Sequence, residues 1–140
     1  MGTRLENRVL VTPDVGVPYT FADSLVVRGP VRAGDLLIVD PSAEAGEGEI
    51  ARRDPVNGLA DVLTNGELMS EPWAITVDDA GRLLIADRQA DPLGSGTQRG
   101  ALLRYDPVTD EMTTVTSSSL FVDPVDVMLV GNEVLLLDDD

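Results

Sequence analysis

Three aspartates close three apolar strings. Asp40 ends Gly34–Asp40 (GDLLIVD), Asp87 ends Gly81–Asp87 (GRLLIAD), and Asp138 lies in Glu133–Asp139 (EVLLLDD). They are 87 − 40 = 47 and 138 − 87 = 51 residues apart. Carboxylates placed in register by a repeat can do one of two things. They can converge as hard oxygen ligands on a cation such as Ca2+, the one cofactor these residues would take. Alternatively, each can accept backbone N–H groups where a strand passes into a loop. Their return with the repeat favours the second reading. The run Asp138–Asp140 has the same two readings, a cation site or a solvated, frayed end.

Residue types that are missing exclude more chemistry. The chain has no cysteine and no histidine. This removes disulfides, thiolate nucleophiles, the commonest zinc ligand and any Ser-His-Asp triad. The net charge of −15 comes with ten basic residues, all arginine. Such a surface repels nucleic-acid phosphates and anionic membranes. It either attracts basic partners or serves solubility and protects sheet edges. No apolar run approaches the roughly 18–20 residues that span a bilayer, and MGTRLENRVL lacks a secretory apolar stretch.

The elements that carry these residues read as strands. In Pro72–Asp78 (PWAITVD) alternation puts Trp73, Ile75 and Val77 on one face. Trp73 is then either a core residue or a platform for a sugar or peptide. A tight turn at Asp79-Ala80-Gly81 leads to RLLIAD, which is apolar on both faces, as in a strand buried on both sides. A polar loop, Arg88–Gly100, precedes ALLRYD. A turn at Pro107–Asp110 then leads to EMTTVT, which is half polar. The gradient predicts a four-stranded antiparallel sheet with buried inner strands and a wet outer one. No stretch keeps a helical stripe, and strand-like clusters recur every 8–12 residues or so, as in an all-β protein.

The same order recurs on either side. The preceding unit reads as Phe21–Val27, GDLLIVD, EIARRD and LADVLT, with a loop at Pro41–Gly48. The following unit begins at Pro124 with VDVMLV, turns at Gly131-Asn132 and continues as EVLLLDD. Asp54-Pro55 returns as Asp106-Pro107 (106 − 54 = 52) and Pro72 as Pro124 (124 − 72 = 52). A period near fifty marks repeated sheet units. Arg8–Thr12 (RVLVT) reads as an outer fourth strand, preceded by a short third strand at Thr3–Glu6 and a tight turn at Glu6-Asn7. The division is 1–19 as an outer strand completing a blade-like unit, 20–70 and 71–119 as units, and 120–140 as the inner strands of a partial unit.

In EPWAITVDDAGRLLIAD, GALLRYDPVTDEMTTVTSSSLFVDPVDVMLV and EVLLLDD the chain resembles the NHL-repeat and wider YWTD/gluconolactonase-like β-propellers. Trp73 and Val125 stand where those repeats often have glycine. The resemblance implies four-stranded blades around a central channel. Three blades cannot close a ring, but two chains of three make six, the C-terminal strands of one copy pairing with the N-terminal strand of another. An arbitrary piece of a longer product is the competing reading.

The fold leaves function open. The leading expectation is a non-enzymatic scaffold or binding module that assembles as a homodimer. The alternative is a metal-dependent lactonase or hydrolase. In that case Glu71, Asp123 and Asp126, near the start of first strands, would hold a divalent cation at the channel mouth, as such enzymes do. Asn132 and Asp78 lie near strand ends as well. Loops Pro41–Gly48 and Arg88–Gly100 fall on one side of their units and form the expected recognition surface. Arg88, Asp91 and Arg99 are its candidate contacts, with Trp73 beside them.

Overall fold

Alternating and doubly apolar strings separated by Gly, Pro and Asp turns give an all-β chain. The computed structural model describes residues 5–11, 19–25, 29–43, 47–53, 55, 58, 60–93, 96–118 and 121–139, and among them there is no helix. The strands are β1 (Leu5–Val11), β2 (Tyr19–Leu25), β3 (Leu36–Asp40), β4 (Glu49–Arg53), β5 (Ala60–Asn65), β6 (Pro72–Val77), β7 (Leu83–Ala90), β8 (Arg99–Asp106), β9 (Glu111–Ser117), β10 (Pro124–Val130) and β11 (Glu133–Asp138). They form antiparallel sheets in the orders β1-β2, β3-β4-β5, β6-β7-β8-β9 and β10-β11. The described residues close no barrel or ring within one chain.

The middle sheet has the expected four strands in sequence order. Leu83, Leu84, Ile85 and Ala86 on β7 are all at most 2% exposed, because each face of this strand is covered by a neighbouring unit. On one face Leu83, Ile85, Leu103 and Tyr105 pack with Ile50, Leu63 and Met69 of the preceding unit. On the other, Leu84, Ala86 and Leu102 pack with Val127, Leu129 and Leu136 of the following one. Contacts between β3 and β6, and from β10 to β6 and β7, join the three units into a stack.

Two glycines set the spacing of that stack. A Cβ on Gly48 would lie 2.3 Å from Pro72 Cδ, and one on Gly100 would lie 2.9 Å from Pro124 Cδ. Gly48 immediately precedes β4 and Gly100 is the second residue of β8, and the two prolines start β6 and β10. The two pairs are 100 − 48 = 52 and 124 − 72 = 52 residues apart. The same close approach is made twice, at the period of the sequence repeat.

Two expectations for the N-terminal part are corrected. No turn occurs at Glu6-Asn7, since β1 runs unbroken through both. Nor does the Phe21–Val27 segment pair with GDLLIVD. Instead β2 pairs with β1 over seven residues, from Leu5↔Leu25 to Val11↔Tyr19, so the β3 sheet has three strands. The physical reason is local. β1 lies close to β2 in sequence and offers it a seven-residue ladder, whereas β3 offers five residues.

Candidate functional site

The three repeated aspartates occupy equivalent positions with different surroundings. Asp87 is fully buried. Its Oδ2 accepts the Ser70 N–H at 2.9 Å, and its Oδ1 accepts those of Glu71 at 3.1 Å and Gln89 at 2.9 Å. Asp138 does the same one unit later, accepting the N–H groups of Val122 at 2.8 Å and Asp123 at 2.9 Å. In the middle and last units the repeated aspartate, within β7 or at the end of β11, therefore holds the loop that leads into the unit's first strand. The shifts are 122 − 70 = 52 and 123 − 71 = 52. Asp40 accepts within its own turn, from the Ser42 backbone N–H and hydroxyl, both at 2.9 Å, and from the Ala43 N–H. No loop ahead of a first strand reaches it among the described residues.

The electrostatics follow these surroundings. Burial pushes the Asp87 carboxyl above its ordinary range, against the pull of its three N–H bonds, and the Glu71 charge adds to the rise. The Asp40 carboxyl is held low by the Ser42 bonds. At Asp78 burial opposes ionisation, but the Arg82 and Ala80 N–H groups and the Arg82 guanidinium hold the pKa down. Asp78 thereby fixes the β6–β7 turn, with Arg82 Nε at 2.7 Å. It is a turn residue, not a free ligand.

Trp73 departs from the alternation. It stands at a register shift between Pro72 and Ala74. It is 45% exposed instead of belonging to the core. A bulge is invisible in a period-two reading, because the extra residue changes the phase of what precedes it. The Arg88 guanidinium lies 4.5 Å from the Trp73 ring centroid. It also grips both carboxylate oxygens of Asp123, from the loop before β10. The Arg88 N–H donates to the Glu71 carbonyl at 3.0 Å, and Gln89 Nε2 donates to Glu71 Oε2 at 2.6 Å. Four expected residues, Glu71, Trp73, Arg88 and Asp123, thus meet in one knot joining two units.

That knot changes what these residues can do. Asp123 is neutralised by Arg88, and Glu71 is engaged by Gln89. Asp126 is exposed and accepts its neighbour Val127's N–H at 2.8 Å. Among the described residues no three acidic side chains come together in a way that could hold a metal ion. The part of the knot open to a ligand is the Trp73 ring, an aromatic surface already supporting a cation.

Described residues of the two long loops meet at one cleft. Glu47 from the first and Asp91 and Gln98 from the second line a cleft of about 280 Å³ together with Glu67, Met69 and Ser70. The Asp91 N–H donates to the Leu68 carbonyl at 2.9 Å, and Gln98 Nε2 donates to Ser70 Oγ at 3.0 Å. The cleft is therefore built from both units. Arg99 is exposed at the start of β8 and is not among its lining residues.

Sequence reasoning missed Glu47, Glu67, Gln89 and Gln98, since polar loop residues give no periodic signal. It also missed Tyr105, whose hydroxyl reaches the Leu63 carbonyl 42 residues away and Asp110 at 2.6 Å. No protein-family model matches the chain, no curated protein matches it, and no solved structure matches it.

Proposed function

We propose that this chain is a non-enzymatic module of β-propeller type that assembles with identical copies of itself. One observation supports the reading most: a finished four-stranded sheet stands between unfinished ones of three and two strands. Among the described residues the β10-β11 sheet has two strands fewer than the middle sheet, and the β1-β2 hairpin offers two. Pairing the hairpin of one copy with the free edge of β11 in another gives a four-stranded sheet and covers an open edge. Two chains joined at both ends make a six-unit ring. The acidic surface disfavours nucleic acid and anionic lipid as further partners. Recognition falls to the side where the loop cleft lies, and the exposed Trp73 ring adds a stacking surface.

Deleting Met1–Thr12 tests the strand exchange. The truncated chain should run as a monomer in size exclusion with light scattering. A truncated chain with the same mass as the intact one removes the hairpin from the assembly.

A further inference from the structure

The stack has two ends, and each exposes a defined apolar face. In the middle unit Leu84 and Ala86 point toward the following unit and are 2% and 0% exposed. Their counterparts in the last unit are Leu135 and Leu137 (135 − 84 = 51, 137 − 86 = 51). These are 51% and 60% exposed, with Met128 beside them on β10 at 52%. In the middle unit Leu83 and Ile85 point toward the preceding unit and are fully buried. Their counterparts in the first unit are Leu36 and Ile38 (83 − 36 = 47, 85 − 38 = 47), which are 51% and 42% exposed.

These two faces are complementary because the chain already joins such faces twice. Leu37, the counterpart of Leu84, packs toward the middle unit, and Ile85 covers it from that side. Leu136, the counterpart of Ile85, covers Leu84 and Ala86. The residues that cover a following-type face are always preceding-type residues one unit later. Ile38 is a preceding-type residue and Leu137 a following-type residue, and among the described residues no other unit covers either of them.

We infer that the face of Met128, Leu135 and Leu137 in one copy is covered by the face of Leu36 and Ile38 in a second copy, continuing the internal stacking between molecules. This rests on the self-assembly proposed above and specifies its contact surfaces. The interface is heterologous, because the two faces differ. It therefore closes into a ring when the rotations sum to a full turn.

The test uses two double variants, Leu36→Glu/Ile38→Glu, which blocks one face, and Leu135→Glu/Leu137→Glu, which blocks the other. Masses are read by light scattering on the intact chains. The expected result is an oligomeric wild type, monomers for each variant alone, and a dimer of about twice the monomer mass from their equal mixture. Only a heterologous contact restores assembly on mixing. Val108→Glu, at an exposed turn position, should leave the wild-type mass unchanged. Far-UV circular dichroism checks that each variant keeps its sheets. Because the chain has no cysteine, Ile38→Cys/Leu137→Cys provides a second readout that leaves the fold largely intact. A short bis-maleimide should cross-link it between chains, and neither single cysteine variant should cross-link. An oligomeric wild type with both blocked variants equally oligomeric, and no cross-linking, overturns the assigned faces while self-assembly stands. A monomeric wild type overturns self-assembly itself.

Discussion

Replacing Asp87 with alanine removes the acceptor for three backbone N–H groups at once: Ser70, Glu71 and Gln89, at 2.9, 3.1 and 2.9 Å. Hydrogen bonds to a charged acceptor are each worth about 1.5–3 kcal/mol, giving a gross sum of about 4.5–9 kcal/mol. Two effects reduce it. The three bonds share one carboxylate and are not additive, and the variant no longer has to bury that carboxylate, a cost visible in its raised pKa. A net loss of about 3–5 kcal/mol remains, a large part of the stability of a typical domain. Guanidinium chloride unfolding followed by the emission of Trp73, the chain's sole tryptophan, measures it directly beside the perturbed loop. A loss below about 1 kcal/mol would refute the reasoning, since the three N–H groups would then have other acceptors and Asp87 would not hold the loop.

Three further outcomes follow from named contacts, and a fourth variant serves as their control. In Asp87→Asn the pH dependence has a fixed sign. The folded-state carboxyl titrates above its ordinary 3.8, so the stability it contributes is complete below 3.8 and is lost as pH rises through the raised value. Wild type should therefore gain on Asp87→Asn as pH falls from 7 toward 3.8, in urea titrations run at each pH. Arg88→Ala removes the contact with Trp73 and the pair with Asp123, whose side chains are about a quarter exposed at 26% and 27%. About 1–2 kcal/mol should be lost, with a shift in Trp73 emission. Gly100→Ala sets a Cβ 2.5 Å from the Phe121 carbonyl oxygen and should cost about 1–3 kcal/mol. Gly29→Ala, where nothing lies within 4 Å, should stay within about 0.5 kcal/mol by thermal unfolding.

What could be read from the residues depended on whether the signal was periodic. The four strands of the middle unit, the doubly buried β7 and the wet β9 follow from hydrophobic alternation and turn residues. That the repeated aspartates accept backbone N–H groups was one of the two readings their recurrence allowed; that Asp87 and Asp138 reach back to the loop ahead of the first strand was not legible, because that contact joins residues far apart in sequence. Trp73 stayed open between a core role and a stacking platform, because a bulge shifts strand phase without changing composition. The first unit's inner strand was misassigned because β2 can pair with either β1 or β3, and strand-like sequence does not choose between partners. The knot of Arg88, Trp73, Glu71 and Asp123 was read as separate candidates. Its members come from β7, β6 and two loops, and only the stacking of units brings them together.

The mass of the intact chain in solution tests self-assembly most directly, by native mass spectrometry at micromolar concentration with light scattering as a check. The account predicts a single species at twice the 14.9 kDa chain mass. A folded species at 14.9 kDa, with the faces of Leu36/Ile38 and Leu135/Leu137 left open to water, would contradict it.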